Sequence, residues 1–187
     1  MHHAQERQVI APTLFLSDAD VASLADWSTA VAALAEAYAR PASDAMVPPR
    51  SMARGDGIWL RSLTAVPPTG GHMGCKLIAA SMRARCASYL IVLFNQQTMA
   101  LTALIDGNRV TGLRTAATAA LAVDLLAPKH GLRVGVIGSG FEARGALDCL
   151  KSVRDVTQVR VFSPTPASRE RFAESFRPGL DLSLIHI

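Results

Sequence analysis

The sequence predicts an α/β protein, with an α+β front region followed by the truncated first half of a parallel, doubly wound sheet. Three observations predict it. From residue 133 onward, strand-like and helix-like stretches alternate, the order that builds a parallel sheet. The turn Gly138-Ser139-Gly140 lies between an apolar strand and a helix start. Upstream of residue 128 the strands come in succession, without intervening helices. Composition agrees: of 187 residues, 50% are hydrophobic and 18% charged, and the mean hydropathy is +0.24. Those values exclude a disordered chain, a collagen-like repeat and a disulfide-stapled miniprotein. The boundary is expected near residues 128–132, giving regions 1–130 and 131–187. Only 49 residues follow Gly138. A complete doubly wound fold needs two βαβαβ halves, so the expectation is the front part of a longer chain.

In chain order, Ser17 is the expected N-cap of a first helix, with Asp20 reciprocating three residues on. Asp26 caps a second, whose apolar face carries Ala30, Val31, Leu34 and Tyr38, and Pro41 stops it. Residues 41–57, rich in Pro, Ser and Gly, read as a loop. Residues 58–63 read as a strand, 67–71 as a turn, and 74–79 as a strand with Lys76 and Ile78 on one face. Residues 89–94 form a continuous apolar run, expected as a strand buried on both sides. After a turn at 95–98 comes a strand over 99–105, and Asp106-Gly107 gives a turn signal. A small-residue helix starts at Thr111, with Leu113, Ala117, Leu121 and Leu125 in one stripe, and ends at Pro128. Lys129-His130-Gly131 is a linker. Strand 133–137, helix 142–151, strand 159–162 and helix 166–176 follow.

Lys plus Arg total 19 and Asp plus Glu 15, a net charge of +4. The basic residues are scattered and aromatics make up 5%, which argues against nucleic-acid binding. Cys75, Cys86 and Cys149 lack paired spacing, and the segment MHHAQERQ has no apolar core of the signal-peptide kind. A reducing cytoplasm fits these thiols. No apolar run approaches a membrane span. His72 and Cys75 are the only close His/Cys pair, too few ligands for zinc, so no metal is expected; His2 and His3 read as solvated.

The segment from Val134 to Ala143 fits G-x-G-x-x-A. Gly138 permits the tight turn, Gly140 removes a side chain that would block a pyrophosphate, and Ala143 lets helix and strand approach. Ser139, Phe141 and Glu142 complete the turn and helix start, whose free N–H groups and partial positive charge suit phosphate. This context favours dinucleotide binding over a merely structural turn. The second strand ends at Ser163, where an NAD site usually carries Asp or Glu. Thr165, Arg169 and Arg171 follow. The missing acid and nearby arginines lean towards NADP over NAD. The alternative is that Thr165 caps a helix with Pro166 at its first position, the arginines being solvated.

Read together with that turn, Met46-Val47-Pro48-Pro49-Arg50, Gly74-Cys75-Lys76 and Thr111-Gly112-Leu113-Arg114-Thr115-Ala116-Ala117 resemble the ornithine cyclodeaminase/μ-crystallin family, over residues 15–176. The resemblance implies an N-terminal dimerisation and substrate domain, incomplete here, and a truncated Rossmann domain. It implies that Arg50 and Lys76 hold a substrate carboxylate, Lys76 also assisting proton transfer. Arg114, beside Thr115, would lie between substrate and cofactor phosphates. The chemistry is apt: Arg offers a planar fork and Lys a compact, tunable cation. On the residues alone, Arg50 also reads as a solvated loop residue. Lys76 in an apolar strand needs a partner, and Arg114 at a helix start opposes the dipole unless it meets an anion.

The implied activity is nicotinamide-dependent hydride transfer at the Cα of an amino acid or cyclic imine. Cyclodeaminase, ketimine reductase and alanine dehydrogenase chemistry all fit, in a homodimeric parent. A non-catalytic NADPH- and ligand-binding protein, or an inactive truncated fragment, are the alternatives. This sequence departs from the family at Glu142, where Gln is frequent, and at Thr98-Met99, where Thr-Gly is usual. The stretch from Lys76 to Tyr89 is shortened and carries Arg83 and Arg85. No residue matches the family's downstream catalytic acid. Residues 183–187 resemble translated adapter sequence, the alternative being an apolar strand beginning at Leu182; either way the sheet stops early and leaves an edge.

Overall fold

The structure, a computed structural model, describes residues 12–185; His2, His3 and residues 186–187 lie outside them. In chain order the elements are β1 (Leu14–Leu16), α1 (Asp18–Leu24), α2 (Trp27–Tyr38), β2 (Ser51–Arg54), β3 (Ile58–Ala65), β4 (His72–Ser81) and β5 (Cys86–Asn95). They continue with β6 (Leu101–Asp106), α3 (Gly107–Leu126), β7 (Leu132–Ile137), α4 (Phe141–Val153), β8 (Val156–Phe162), α5 (Pro166–Phe176) and β9 (Asp181–Leu184). The chain divides into two compact units: residues up to 23 with 40–108, and 24–39 with 109–187.

In the first unit, the described residues form a six-stranded sheet in the order β1-β6-β5-β4-β3-β2. β1 pairs parallel with β6, and the other neighbours pair antiparallel. The backbones of β4 and β5 approach closely at Gly74, where a Cβ would lie 1.9 Å from the Val92 carbonyl oxygen. Ser17 and Asp20 form the expected reciprocal cap, Asp20 accepting from the Ser17 backbone at 2.8 Å and hydroxyl at 2.6 Å. Those bonds hold the Asp20 carboxyl below its ordinary pKa.

Three local expectations are corrected here. The loop over 41–57 contains β2, an edge strand with little intrinsic β-propensity that is held by its ladder to β3. Strand β5 is not buried on both sides: Leu90 is 39% exposed, and no residue of β5 is fully buried. The turn signal at Asp106-Gly107 is instead the start of a helix. The Asp106 carboxylate accepts the Asn108 backbone N–H at 2.9 Å, so α3 begins four residues before Thr111.

In the second unit, β7, β8 and β9 form a parallel sheet in that order. Its core joins Leu132, Val159, Val161, Leu147, Leu150, Phe172 and Phe176 with Val31 of α2 and the alanines of α3. Ala116, Ala117 and Ala120 are at most 1% exposed, so the small-residue stripe gives α3 its close approach. Helices α2 and α3, although they precede residue 130, therefore cluster with this unit. Asp26 caps α2 as expected, accepting the Thr29 backbone N–H at 2.7 Å. Together with the Ser28 hydroxyl, this lowers the Asp26 pKa to about 2. Beyond α3, Arg154 donates to Asp124 and to the Pro128 carbonyl, tying the linker to the end of α4.

Candidate functional site

In the second unit, β7 delivers the chain to Gly138, whose φ of 108° suits glycine. The Gly138 N–H donates to the Phe162 carbonyl at 2.7 Å, so the turn rests on the end of β8. Ser139 is buried, and Gly140 is the N-cap of α4, where no side chain caps the helix. A Cβ on Gly138 or Gly140 would meet nothing within 4 Å. Packing therefore does not require glycine at 140; its lack of a side chain keeps open the space over an uncapped helix N-terminus, which fits a dinucleotide pyrophosphate. Glu142 is exposed in the first turn, and Ala143 is half-buried against the core.

Helix α3 lies beside this turn. A Cβ on Gly112 would stand 2.5 Å from the Phe141 ring, so glycine there admits the aromatic side chain. Arg114 is exposed, and the Thr115 hydroxyl donates to the Thr111 carbonyl at 2.7 Å. A cavity of about 370 Å³, lined by Thr115, Ala119, Val123, Val136, Glu142 and Ala146, separates α3 from β7 and α4.

At the end of β8, successive carbonyls serve two partners: Phe162 accepts from the glycine turn, and Ser163 accepts from Arg169 Nη1 at 3.0 Å. Arg169 is 8% exposed, and its Nε is buried without a partner. It is thus not the solvated arginine of the alternative reading. Thr165 stands at the N-cap of α5 but its side chain makes no cap bond, and Pro166 follows in the first turn. No carboxylate lies between Ser163 and Arg169. These residues fit the adenosine end of a dinucleotide.

The first unit carries Arg50 and Lys76. Arg50 is exposed, one residue before β2. Lys76 is half-buried in β4 between Leu63 and Ile91, with Nζ 4.9 Å from the Tyr89 ring centroid. Met52 pairs with Arg61, and Arg61 with Ile78. Side chains alternate along strands, so Met52, Arg61, Ile78 and Lys76 share one face, and Arg50, two residues before Met52, continues that row. Arg61 is the residue that sequence reasoning missed, since only strand register reveals it. The opposite face presents Ile58, Leu60 and Leu90, and a cavity of about 530 Å³ opens there.

Among the described residues no cluster of His, Cys, Asp and Glu could hold a metal ion, and no helix is long and apolar enough to cross a membrane. The three cysteines are free thiols.

The family model described as "Ornithine cyclodeaminase/mu-crystallin family" matches residues 12–184. The chain is 47% identical over 73 residues to the NAD(P)H-dependent anabolic L-arginine dehydrogenase DauB of Pseudomonas aeruginosa, covering 39% of this chain and 23% of that protein. Against the alanine dehydrogenase of Archaeoglobus fulgidus, identity is 29% over 173 residues, covering 88% of this chain and 51% of the relative. An archaeal alanine dehydrogenase dimer with bound NAD superposes with a TM-score of 0.82 at 25% identity, over 93% of this chain and 56% of that one. The chain thus spans about half the length of these last two proteins. The match bears out the α/β reading and the resemblance carried by the Arg50, Lys76, Arg114 and Gly138 motifs: the chain belongs to the ornithine cyclodeaminase/mu-crystallin family.

Proposed function

We propose that this chain carries the substrate- and cofactor-binding parts of an NAD(P)-dependent enzyme acting at the Cα of an amino acid or cyclic imine. Region 1–130 serves substrate binding and dimerisation; region 131–187 is the opening half of the cofactor domain. The observation that carries this reading is the open glycine turn: Gly140 leaves space over an N-terminus that no side chain caps. A bound nicotinamide supplies a hydride donor or acceptor. The chain's own residues bind and orient. Arg50 and Lys76 hold the substrate carboxylate on one sheet face, and the pinned ammonium of Lys76 can also exchange a proton with the reacting nitrogen. Arg114 and Thr115 face the cofactor phosphates from α3, joined by the Ser139 to Ala143 segment of the turn.

Ser163, Thr165 and Arg169 receive the adenosine ribose. A buried guanidinium with an unmet Nε, in a turn free of carboxylates, supports NADP over NAD. The exposed apolar face of Ile58, Leu60 and Leu90 supports a homodimer, and the free thiols support a reducing cytoplasm. The test follows nicotinamide absorbance with ornithine, lysine, alanine and cyclic ketimines, using both cofactors. Turnover is expected; saturable cofactor binding with no turnover on any substrate favours the non-catalytic binding protein instead.

A further inference from the structure

We infer that Arg61 is a specificity residue for a second carboxylate, so that the site takes a dicarboxylic amino acid or its imine. This rests on the proposal that Arg50 and Lys76 hold the first carboxylate on the same sheet face. Strand register sets the arrangement. Lys76 lies opposite Leu63, and Arg61 opposite Ile78, so Arg61 and Lys76 are diagonal neighbours. Such pairs lie about 7–8 Å apart, within reach of long side chains. Two long cationic side chains rising from neighbouring positions of one face suit a substrate with an anionic group at each end.

The state of the Arg61 side chain points to an anion. Its guanidinium carbon stands 4.9 Å from the Trp59 ring centroid, which backs the planar head on one side. Its Nε is buried, and no hydrogen-bond acceptor reaches it. A desolvated donor of a charged group is costly to leave unmet, and a carboxylate presented edge-on to the fork satisfies it. Among the described residues, none reaches it. Strands β2 to β5 contain no Asp or Glu. Asp106 on β6 pairs with Leu90, which alternates to the opposite face, and its carboxylate accepts from Asn108. Asp56 pairs with Arg83. A cationic substrate side chain would therefore meet like charge beside Arg61, and a neutral one would leave Nε unmet.

The experiment measures binding by calorimetry to the 187-residue chain with cofactor present, comparing L-glutamate and L-aspartate with L-norvaline and L-ornithine. The expected result is a diacid preference over norvaline of about tenfold, the scale of one charge-assisted hydrogen bond. Arg61→Gln should bring that ratio to about unity while leaving norvaline affinity in place, and Arg61→Lys, losing only the fork, should keep part of it. Thermal melts establish that each variant is folded; if Gln at 61 unfolds the chain, the Arg61→Lys ratio decides. A wild-type preference for norvaline or ornithine, or a diacid preference unchanged in both variants, overturns the inference. Failure of the underlying reading looks different: norvaline binds as well to Lys76→Gln as to the wild type, or no amino acid binds at all, and the inference falls with it.

Discussion

The two units handle apolar surface in opposite ways. In the second, Phe172, Val159, Val161 and Cys149 are fully buried between a parallel sheet and its helices. The Cys149 thiol is pushed above its ordinary pKa by that burial, so it is a packing residue rather than a reactive one. In the first, one face of the sheet leaves Ile58 56% and Leu60 51% exposed, while strand register puts Arg50, Arg61 and Lys76 on the other. Among the described residues, the helical unit is thus packed from within, whereas the sheet unit leaves large apolar side chains of one face exposed.

The largest effect that tests this contrast is Phe172→Ala, which should cost about 3–5 kcal/mol in urea denaturation, the price of a large buried cavity. Leu60→Ser, on the open face, should change the stability of the monomer by no more than about 0.5 kcal/mol, while shifting any dimer towards monomer in sedimentation. Equal costs at the two sites would break the contrast. Next comes Gly112→Ala. Its Cβ would meet the far end of the Phe141 ring, which is 69% exposed and can swing aside, and alanine favours the helix, so a change within about 1 kcal/mol is expected. A double-mutant cycle with Phe141→Ala reads the coupling between the two side chains directly.

The smallest effect is pH-dependent and belongs to the α2 cap. The Asp26 pKa is lowered from 3.8 to about 2 by the bonds from Thr29 and Ser28. A folded pKa below the unfolded one means that the charged cap contributes fully above 3.8 and loses its contribution as pH falls towards about 2. Acid titration of Asp26→Ala beside the wild type should show the two melting curves converging over that window. A constant gap would assign the effect of Asp26 to something other than its charge.

Local chemistry made much of this legible in sequence. The Ser17/Asp20 and Asp26 caps, the strand around Lys76 and the turn at Gly138 depend on residues a few positions apart, and each forms as expected. What escaped depends on partners far along the chain. Nothing in Ser-Met-Ala-Arg announces β2, which exists because β3 offers it a ladder. Arg61 joins Arg50 and Lys76 only through the register of three strands. Arg169 looks solvated in sequence, yet it folds back to the carbonyl of Ser163 and is buried. The stripe of α3 was visible, but not that Ala116 and Ala120 would carry the contact while Leu125 remains 70% exposed.

The central claim is that the Gly138-Ser139-Gly140 turn holds a dinucleotide, and one titration tests it most directly. NADH and NADPH fluorescence is followed on the wild type and on Gly140→Val, whose side chain enters space that no protein atom occupies. Saturable binding to the wild type, tighter for NADPH, is expected, with its loss in a variant that melts as the wild type does. Absence of binding to the wild type, or equal binding to both proteins, would contradict it.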